Sequence, residues 1–218
     1  MDDDDRLPVA GTVVLLRPGG DGFEALLMRR PDAGSFAGAW VFPGGRVEPV
    51  DRRSGADEVD DARRAGIRET REEVGLAVAD PVVLSCWLPP AEAPVRIRTW
   101  FFLAAAPTTE LSVAPDEVVD AVWISPGAAL EAHAAGDWML YPPTWVTLHR
   151  LRGFHTVADA LASAGVPERF STRVVRSPAG TAFEWGRLRL KTGSLPWRMV
   201  ETRPRAGGAG VGRPLRSR

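Results

Sequence analysis

Apolar runs separated by turn residues indicate that the first half of the chain is rich in strands. Residues 9–16 are mainly β-branched and aliphatic, residues 23–28 are mainly apolar, and residues 17–22 between them supply Pro, Gly and Asp. This alternation predicts a β-hairpin, because such residues favour tight turns between paired strands. Further strands are predicted at residues 82–88, 96–104 and 121–124.

A glycine turn followed by a helix is predicted next. Residues 40–45, Trp-Val-Phe-Pro-Gly-Gly, predict a short strand that stops at Pro-Gly-Gly, where backbone can approach a ligand closely. The polar segment 51–61 predicts a loop. A helix is predicted from Asp57 or Asp60 to Val74, with an aspartate at its start and Gly75 as its C-cap.

The second half of the chain shows mainly helical patterns. Helices are predicted at residues 126–135, 144–153 and 157–164, the last from its 3.6-residue apolar period. A late hairpin is predicted from the apolar runs 170–175 and 183–190. Strands should therefore dominate the first half of the chain and helices the second.

Composition and charge exclude several classes of protein. The 218 residues are 44% hydrophobic and 25% charged, which is typical of a globular domain. A net charge of -1 gives no reason to expect a nucleic-acid or membrane partner. Cys86 is the only cysteine, so no intramolecular disulfide forms, and its apolar neighbours predict burial. Without a signal peptide or a bilayer-spanning run, we expect a cytoplasmic protein.

Three glutamates near the end of the predicted helix are the strongest chemical signal. Spacings of three and four residues place Glu69, Glu72 and Glu73 on one side of the helix. Like charges there repel each other and oppose the helix macrodipole, a conflict that a divalent cation removes. The alternative is a solvated acidic face partly neutralised by Arg68 and Arg71.

These glutamates belong to a longer pattern. Residues 68–76, Arg-Glu-Thr-Arg-Glu-Glu-Val-Gly-Leu, follow the glycine turn Phe-Pro-Gly-Gly-Arg-Val-Glu at residues 42–48. Together they resemble the Nudix box, in which a Gly, five residues, a Glu and seven residues precede Arg-Glu-aliphatic-x-Glu-Glu-x-Gly-aliphatic. The resemblance spans residues 9–152.

Two departures from the family pattern are visible. Thr70 replaces an aliphatic residue, although its methyl group can still pack inward. The first half of the box fails in strict register, since the positions expected for the Glu and Gly hold Asp60 and Ser54. If Gly45 is the leading glycine, about eight residues from Val50 are inserted, and Asp60 or Glu58 takes the place of the first glutamate.

The resemblance implies an α/β fold, an α/β/α sandwich around a mixed sheet, with additional C-terminal helices. It divides the chain into an acidic extension (1–6), a Nudix domain (7–152), a C-terminal extension packed on that domain (153–202) and a disordered basic tail (203–218). The expected partner is a small nucleoside diphosphate derivative, and a homodimer is one option for the oligomeric state.

The resemblance also implies a reaction. Hydrolysis of the diphosphate in a nucleoside diphosphate linked to X would depend on Mg²⁺, with Mn²⁺ as a substitute. The implied metal ligands are Glu69, Glu72, Glu73 and the Gly44 carbonyl. Glu117 is the candidate general base on a later loop, with Asp116 and Asp120 as alternatives. Arg68 should orient a box glutamate by bidentate pairing rather than contact substrate.

Substrate contacts are assigned from the same resemblance. Stretches around residues 26–30 and 38–45 are similar to the peroxisomal coenzyme A diphosphatases, although their full coenzyme A signature is absent. The candidate substrate-binding residues are Arg29, Arg30, Phe42 and Arg46. Trp138 and residues 141–145 are further candidates for gripping a nucleotide or acyl group.

Two other functional classes compete with the hydrolase. A Nudix-fold regulatory module without catalysis would bind a nucleotide metabolite, but the intact Glu69, Glu72 and Glu73 argue against it. An ordinary α/β domain with a chance acidic helix would have to match the fixed box positions by accident. Sequence does not choose among coenzyme A, acyl-coenzyme A, ADP-ribose, NADH and damaged nucleotides as substrates.

Overall fold

The computed structural model describes residues 3–20, 22–34, 36–178 and 180–202. The predicted disordered tail, 203–218, and the first two residues of the acidic extension lie outside the described residues. Residues Asp3–Arg6 form a single 3-10 turn.

The described residues form twelve β-strands and four α-helices. The strands are β1 (Val9–Gly19), β2 (Gly22–Arg29), β3 (Trp40–Val41), β4 (Gly44–Arg46), β5 (Val82–Leu88), β6 (Arg98–Ala105), β7 (Asp120–Ile124), β8 (Glu168–Ser171), β9 (Arg173–Ser177), β10 (Gly180–Trp185), β11 (Leu188–Lys191) and β12 (Arg198–Glu201). The helices are α1 (Glu58–Val74), α2 (Pro126–Ala135), α3 (Pro142–Leu151) and α4 (Val157–Ala162). None of these helices is long and apolar enough to cross a membrane.

Eight of the strands form one mixed sheet. Its main path runs β3-β2-β1-β6-β5-β8, while β4 pairs with β1 and β7 pairs with β2. The pairs β1-β6 and β5-β8 are parallel, and the other neighbours are antiparallel. The predicted α/β class with a mixed sheet is confirmed.

Period-two alternation in the central strand gives the sheet two buried faces. Val13 and Leu15 pack on the same side as Val74 of α1, whereas Val14 and Leu16 face the core formed with α2, α3 and α4. All four β1 side chains are fully buried. A strand covered on both faces should read as a continuous apolar run, which is what residues 13–16 show. The layers are therefore helix, sheet, helix.

The predicted hairpin and box helix are confirmed. Strands β1 and β2 pair antiparallel across the turn. Helix α1 starts after Asp57 and ends at Gly75, which has φ 75° and donates its N–H to the Arg71 carbonyl. The left-handed conformation explains the glycine, because other residues adopt it at a cost. Thr70 is buried, and its hydroxyl donates to the Gly66 carbonyl at 2.7 Å.

The predicted short strand stops before Pro-Gly-Gly, at Val41, but the two glycines then join another strand, which the prediction did not include. The Pro43 carbonyl accepts from the Val13 N–H at 2.9 Å, and Gly44–Arg46 then continues as β4 against β1. The missing glycine side chains permit this, since a Cβ at Gly44 would lie 2.4 Å from the Gly11 carbonyl oxygen. The glycine turn thus becomes part of the sheet next to α1.

The prediction that helices dominate the second half is wrong. Residues 170–175 are not one strand: Phe170 pairs with Trp87 in the main sheet, while Arg173–Ser177 pairs with β10. Residues 183–190 break at Gly186, whose φ of 53° suits a two-residue hairpin turn. The result is a second, four-stranded antiparallel sheet in the order β12-β11-β10-β9.

The second sheet shares the core of the main sheet. Its buried side chains Trp185 and Leu190 belong to the same apolar cluster as Trp87 and Phe170. The Trp87 and Phe170 rings stack at 3.9 Å. These contacts support the proposal that residues 153–202 pack on the preceding domain, while the domain boundaries themselves stay a prediction.

A close backbone approach holds α1 on the sheet. A Cβ built on Gly11 in β1 would lie 1.7 Å from the Ala62 carbonyl oxygen of α1. No side chain fits in that space, so glycine is required for the helix to pack this closely. The position of the box glutamates relative to the sheet depends on this contact.

Substitution of Gly11 by alanine should therefore lower the free energy of unfolding by at least about 2 kcal/mol, because the helix must shift to admit the methyl group. Gly127→Ala in α2 is the matched control, since a Cβ at that position would meet nothing within 4 Å and alanine favours helix. Urea denaturation of both variants measures the difference. Equal stabilities would contradict this account of how α1 is held.

Candidate active site

Glu73 lies at the junction of three segments. Its side chain is only 1% exposed, and Arg30 at the end of β2 donates from Nη1 to Oε1 at 2.7 Å. The Gly44 N–H donates to Oε2 at 2.9 Å. Burial is the largest influence on this carboxyl and raises its pKa to about 8, against the lowering effects of the Gly44 hydrogen bond and the Arg30 charge.

Glu69 lies one helical turn before Glu73 and against the glycine turn. A Cβ on Gly45 would lie 2.3 Å from the Glu69 carboxyl carbon, so only glycine leaves room for the carboxylate. Arg68 Nη1 donates to Glu69 Oε1 at 2.9 Å. Burial is the largest influence on Glu69 and raises the pKa of its carboxyl, against the lowering effect of Arg68.

Arg68 connects the box helix to the preceding loop. Its Nε and Nη2 donate to the two carboxylate oxygens of Asp51 at 3.1 and 3.0 Å, a bidentate pair. Its Nη1 donates to both Glu69 and Glu72 at 2.9 Å. The pairing with Asp51 is the main reason that the pKa of the Arg68 guanidinium is raised. Arg68 thus orients the box glutamates, as expected, but its bidentate partner is Asp51.

Asp51, and not Asp60 or Glu58, takes the place of the first acidic residue of the box. It is buried, and it also accepts from the Glu48 N–H at 2.9 Å. Asp60 pairs with Arg63 on the outside of α1, and Glu58 accepts hydrogen bonds from side chains of β6. The sequence held a usable signal, because five residues separate Gly45 from Asp51, as in the family pattern.

The loop between β6 and β7 brings Glu117 to the same place. Ser112 and Ala114 donate their N–H groups to the carbonyls of Val74 and Glu73, at 3.1 and 2.9 Å. These bonds satisfy carbonyls at the C-terminal end of α1 that have no partner within the helix. The loop is thereby attached to the helix that carries the box glutamates. Glu117 itself remains exposed.

Glu69, Glu73 and Glu117 form one acidic cluster. Each offers a carboxylate oxygen, and these oxygens lie within 4.8 Å of one another. Three carboxylates this close repel each other strongly when ionised, and Arg30 and Arg68 offset only part of that charge. Hard oxygen ligands at this separation fit a divalent cation such as Mg²⁺. The chemistry of the site therefore matches the cation that the sequence implied.

Two predicted ligands have a different relation to the cluster. Glu72 has 55% of its side chain exposed, and it shares Arg68 with Glu69 without joining the group of close oxygens. Gly44 borders the cluster, with its N–H on Glu73. The ligand roles of Glu72 and the Gly44 carbonyl stay predictions.

The prediction that Phe42 binds substrate is wrong. Its ring is buried in the core and meets the Phe101 ring edge-on at 6.4 Å, so it cannot reach a ligand. Arg30 is bound to Glu73, which assigns it first to the acidic cluster. Arg29 pairs with Asp32, and Arg46 is exposed with its carbonyl accepting from Arg68. Both remain accessible to a substrate.

The aromatic candidates divide in the same way. Trp145 is buried in the core, so it cannot contact a ligand, whereas Trp138 stacks on Trp40 at 4.0 Å and its candidate role stays a prediction. Tyr141 is exposed at the start of α3. Of these three, Tyr141 is exposed, Trp138 is half-buried and Trp145 is buried.

Several solved structures share this fold. The chain is similar to a Nudix hydrolase from Alicyclobacillus acidocaldarius, with 21% identity, a TM-score of 0.65, and 73% of this chain and 97% of that chain covered. It is also similar to the NUDIX domain of Shewanella oneidensis NrtR complexed with ADP ribose (15%, 0.54, 70% and 92%). A third is a MutT protein from Methanosarcina mazei Go1 (20%, 0.50, 68% and 96%). No curated protein matches the chain.

Comparison of the sequence with family models shows which family the chain belongs to. A model of the NUDIX domain matches residues 6–142, which is more than half of the chain. The chain therefore belongs to the NUDIX family. Its class is that of the pyrophosphohydrolases, enzymes that typically act on nucleoside diphosphate derivatives.

Removal of the Asp51 charge should destabilise the protein. Asp51→Asn leaves Arg68 without its bidentate partner, and we expect the free energy of unfolding to fall by about 2 kcal/mol or more. Asp60→Asn is the control, since its pair with Arg63 is partly exposed and should contribute less than about 0.5 kcal/mol. Chemical denaturation checks both values. If Asp60→Asn lowered the free energy of unfolding more than Asp51→Asn does, Asp60 and not Asp51 would be the first acidic residue of the box.

The raised pKa of Glu73 predicts a pH dependence of the metal-free protein. The folded state keeps this proton up to a pH of about 8, whereas an unfolded glutamate loses it near 4.5. The free energy of unfolding in chelator should therefore fall as the pH rises from about 5 to 8. Glu73→Gln should flatten this slope, and Glu72→Gln should retain it. A stability that rises through this range in the parent protein would contradict the prediction.

Proposed function

We propose that this NUDIX enzyme hydrolyses the diphosphate linkage of a nucleoside diphosphate linked to X, using Mg²⁺, with Mn²⁺ as a substitute. The observation that carries this proposal is the cluster of Glu69, Glu73 and Glu117, whose carboxylate oxygens lie within 4.8 Å of one another. Such a cluster is costly without a cation and well suited to one that also binds phosphate.

The side chains divide the work according to their burial. Glu73 and Glu69 would hold the metal, since both are largely buried and fixed by Arg30, Gly44 and Arg68. A bound divalent ion supplies charge neutralisation at the diphosphate and lowers the pKa of water. Arg68, held by Asp51, keeps the carboxylate of Glu69 in place.

Glu117 is the proposed general base. It is exposed while sharing the cluster with two buried glutamates, so water and substrate can reach it. Its loop is fixed to the end of α1 by the hydrogen bonds of Ser112 and Ala114. A carboxylate in that position can accept a proton from the attacking water as the water oxygen bonds to phosphorus, the bridging P–O bond breaks and the other phosphate leaves.

The substrate class is proposed more broadly than one compound. Coenzyme A, acyl-coenzyme A, ADP-ribose and NADH share a nucleoside and a two-phosphate bridge, and differ in the group beyond the bridge. Arg29 and Arg46, the two arginines of the predicted set that remain accessible, are the proposed phosphate contacts. The resemblance to coenzyme A diphosphatases is the reason that coenzyme A and acyl-coenzyme A are included in the substrate panel.

The decisive experiment is turnover of this panel with Mg²⁺ or Mn²⁺, with products identified by mass. Glu69→Gln, Glu73→Gln and Glu117→Gln should each lower kcat/KM by about 100-fold or more, because they remove metal-holding or proton-accepting groups. Asp116→Asn, Asp120→Asn and Glu110→Gln are matched controls from the same loop and strand. They should keep the parent activity.

Two results would overturn parts of this proposal. If Asp116→Asn or Asp120→Asn abolishes turnover while Glu117→Gln is active, the general base is misassigned. If no member of the panel is cleaved with either cation, the hydrolase proposal fails. Binding of one metabolite without cleavage would then indicate a regulatory module.

A further inference from the structure

Three exposed apolar side chains lie together beside the entrance to β3. Phe36, Met139 and Tyr141 are 43%, 47% and 36% exposed, and we call this group the aromatic shelf. The Phe36 and Tyr141 rings meet edge to face, with centroids 4.9 Å apart and an angle of 87° between their planes. Large apolar side chains grouped in solvent often mark a binding surface.

The shelf is joined to the acidic cluster through the end of β2. Arg30, whose guanidinium binds Glu73, also donates its N–H to the Ala39 carbonyl at 3.0 Å and so closes the loop that carries Phe36. The carbonyl of the preceding residue, Arg29, accepts the Val119 N–H at 3.0 Å, two residues beyond Glu117. The Glu73 side chain, the loop that carries Glu117 and the Phe36 loop are therefore all hydrogen-bonded to the end of β2, at Arg29 or Arg30.

The other side of the shelf is rigidly supported. The Met139 carbonyl accepts from the Trp40 N–H at 2.9 Å, which fixes the segment beside β3. Trp138 stacks on Trp40, and Tyr141 is the N-cap residue of α3. Tyr141 is thus an exposed ring on a firmly held backbone, which lowers the entropy lost when a ligand stacks on it.

Phe36 occupies a backbone conformation that stability does not favour. Its φ of 61° lies in the left-handed region, which is unusual and energetically unfavourable for a bulky residue. The side chain is 43% exposed, so burial offsets little of this cost. A strained residue that holds an aromatic ring in solvent is better explained by binding than by folding.

We propose that the aromatic shelf binds the nucleobase of the substrate, stacked on the exposed face of Tyr141, with the nearly perpendicular Phe36 ring along the edge of the base. This inference rests on the proposed function and adds the subsite that recognises the nucleoside end of the substrate. A planar base fits because aromatic rings offer stacking faces to any nucleobase, and the flexible Met139 side chain can fill the remaining gap. Asp32, the acid nearest in sequence, is already paired with Arg29.

Binding of ADP to the full chain, measured by isothermal titration calorimetry, tests this subsite without requiring turnover. Phe36→Leu and Tyr141→Leu keep apolar bulk but remove the ring, and should weaken ADP binding by about 5- to 50-fold. Tyr141→Phe keeps the ring and should bind like the parent. Val166→Ala is the surface control, since Val166 is 89% exposed beside β8, at the opposite edge of the sheet from β3.

Ribose 5-phosphate, which lacks a base, should bind the parent and both leucine variants with equal affinity. Unchanged ADP affinity in both leucine variants would overturn the stacking proposal, and would favour an aliphatic group as the occupant. A dimeric parent that becomes monomeric in Phe36→Leu would overturn it in favour of a second copy of the chain. Light scattering during size-exclusion chromatography measures that outcome.

Thermal unfolding separates binding from a structural role for Phe36. Phe36→Gly relieves the left-handed strain and should leave Tm unchanged or higher while ADP binding is lost. A clear drop in Tm would show that the ring mainly supports the loop and would overturn the proposal. If ADP binds through the shelf but no diphosphate is cleaved, the hydrolase proposal fails and the subsite stands.

Discussion

The buried carboxylate of Glu73 is the contact on which the site depends. Its two oxygens accept from Arg30, which directly follows β2, and from the Gly44 N–H of β4, and its own carbonyl accepts from Ala114 of the later loop. One residue therefore aligns a strand end, the glycine turn and the loop that carries Glu117. Because each of these bonds comes from a different segment, a small shift of α1 would misplace all three.

That arrangement is unfavourable for folding. Burial opposes ionisation of Glu73 and Glu69, and a third carboxylate lies nearby. Arg30 and Arg68 reduce the repulsion but do not remove it, and Arg68 is itself shared with Asp51. The apolar cores on both faces of the sheet must offset the unfavourable free energy of the site, a common relation between active sites and their scaffolds.

Much of the site could be predicted because it lies on one continuous helix. The helical period alone brings Glu69 and Glu73 to one side, and Gly75 marks the end of α1. Asp51 was not predicted as the first acidic residue of the box, because its partner Arg68 lies far along the chain. The family spacing, applied backward from Arg68, ends at Asp60 because of the insertion. The long-range contacts of the Phe36 loop leave no local signal at all.

The fold shows the same division. The hairpin of β1 and β2 and the helices α1, α2 and α3 have clear local patterns. The second sheet was obscured because residues 170–175 contribute to two different sheets, and a strand's partner is set by tertiary packing rather than by propensity. The buried Phe42 shows the limit of resemblance, since neighbouring a motif does not place a side chain in its cleft.

The inserted segment of the box leaves the chemistry untouched because it is tied down at both ends. Asp51 is held by Arg68 and Arg64 on one side, and Glu58 by Arg98 and Trp100 on the other. Sixteen residues separate Asp51 from Arg68 where the family pattern has seven. Residues 58–67 of these sixteen belong to α1, so the connecting loop is only residues 52–57. Loop-closure entropy grows only logarithmically with length, so a change in the length of this loop costs little. The contacts of Asp51 and of Glu58 thus fix the two ends of the inserted loop, so the loop can change in length without moving Asp51 or α1.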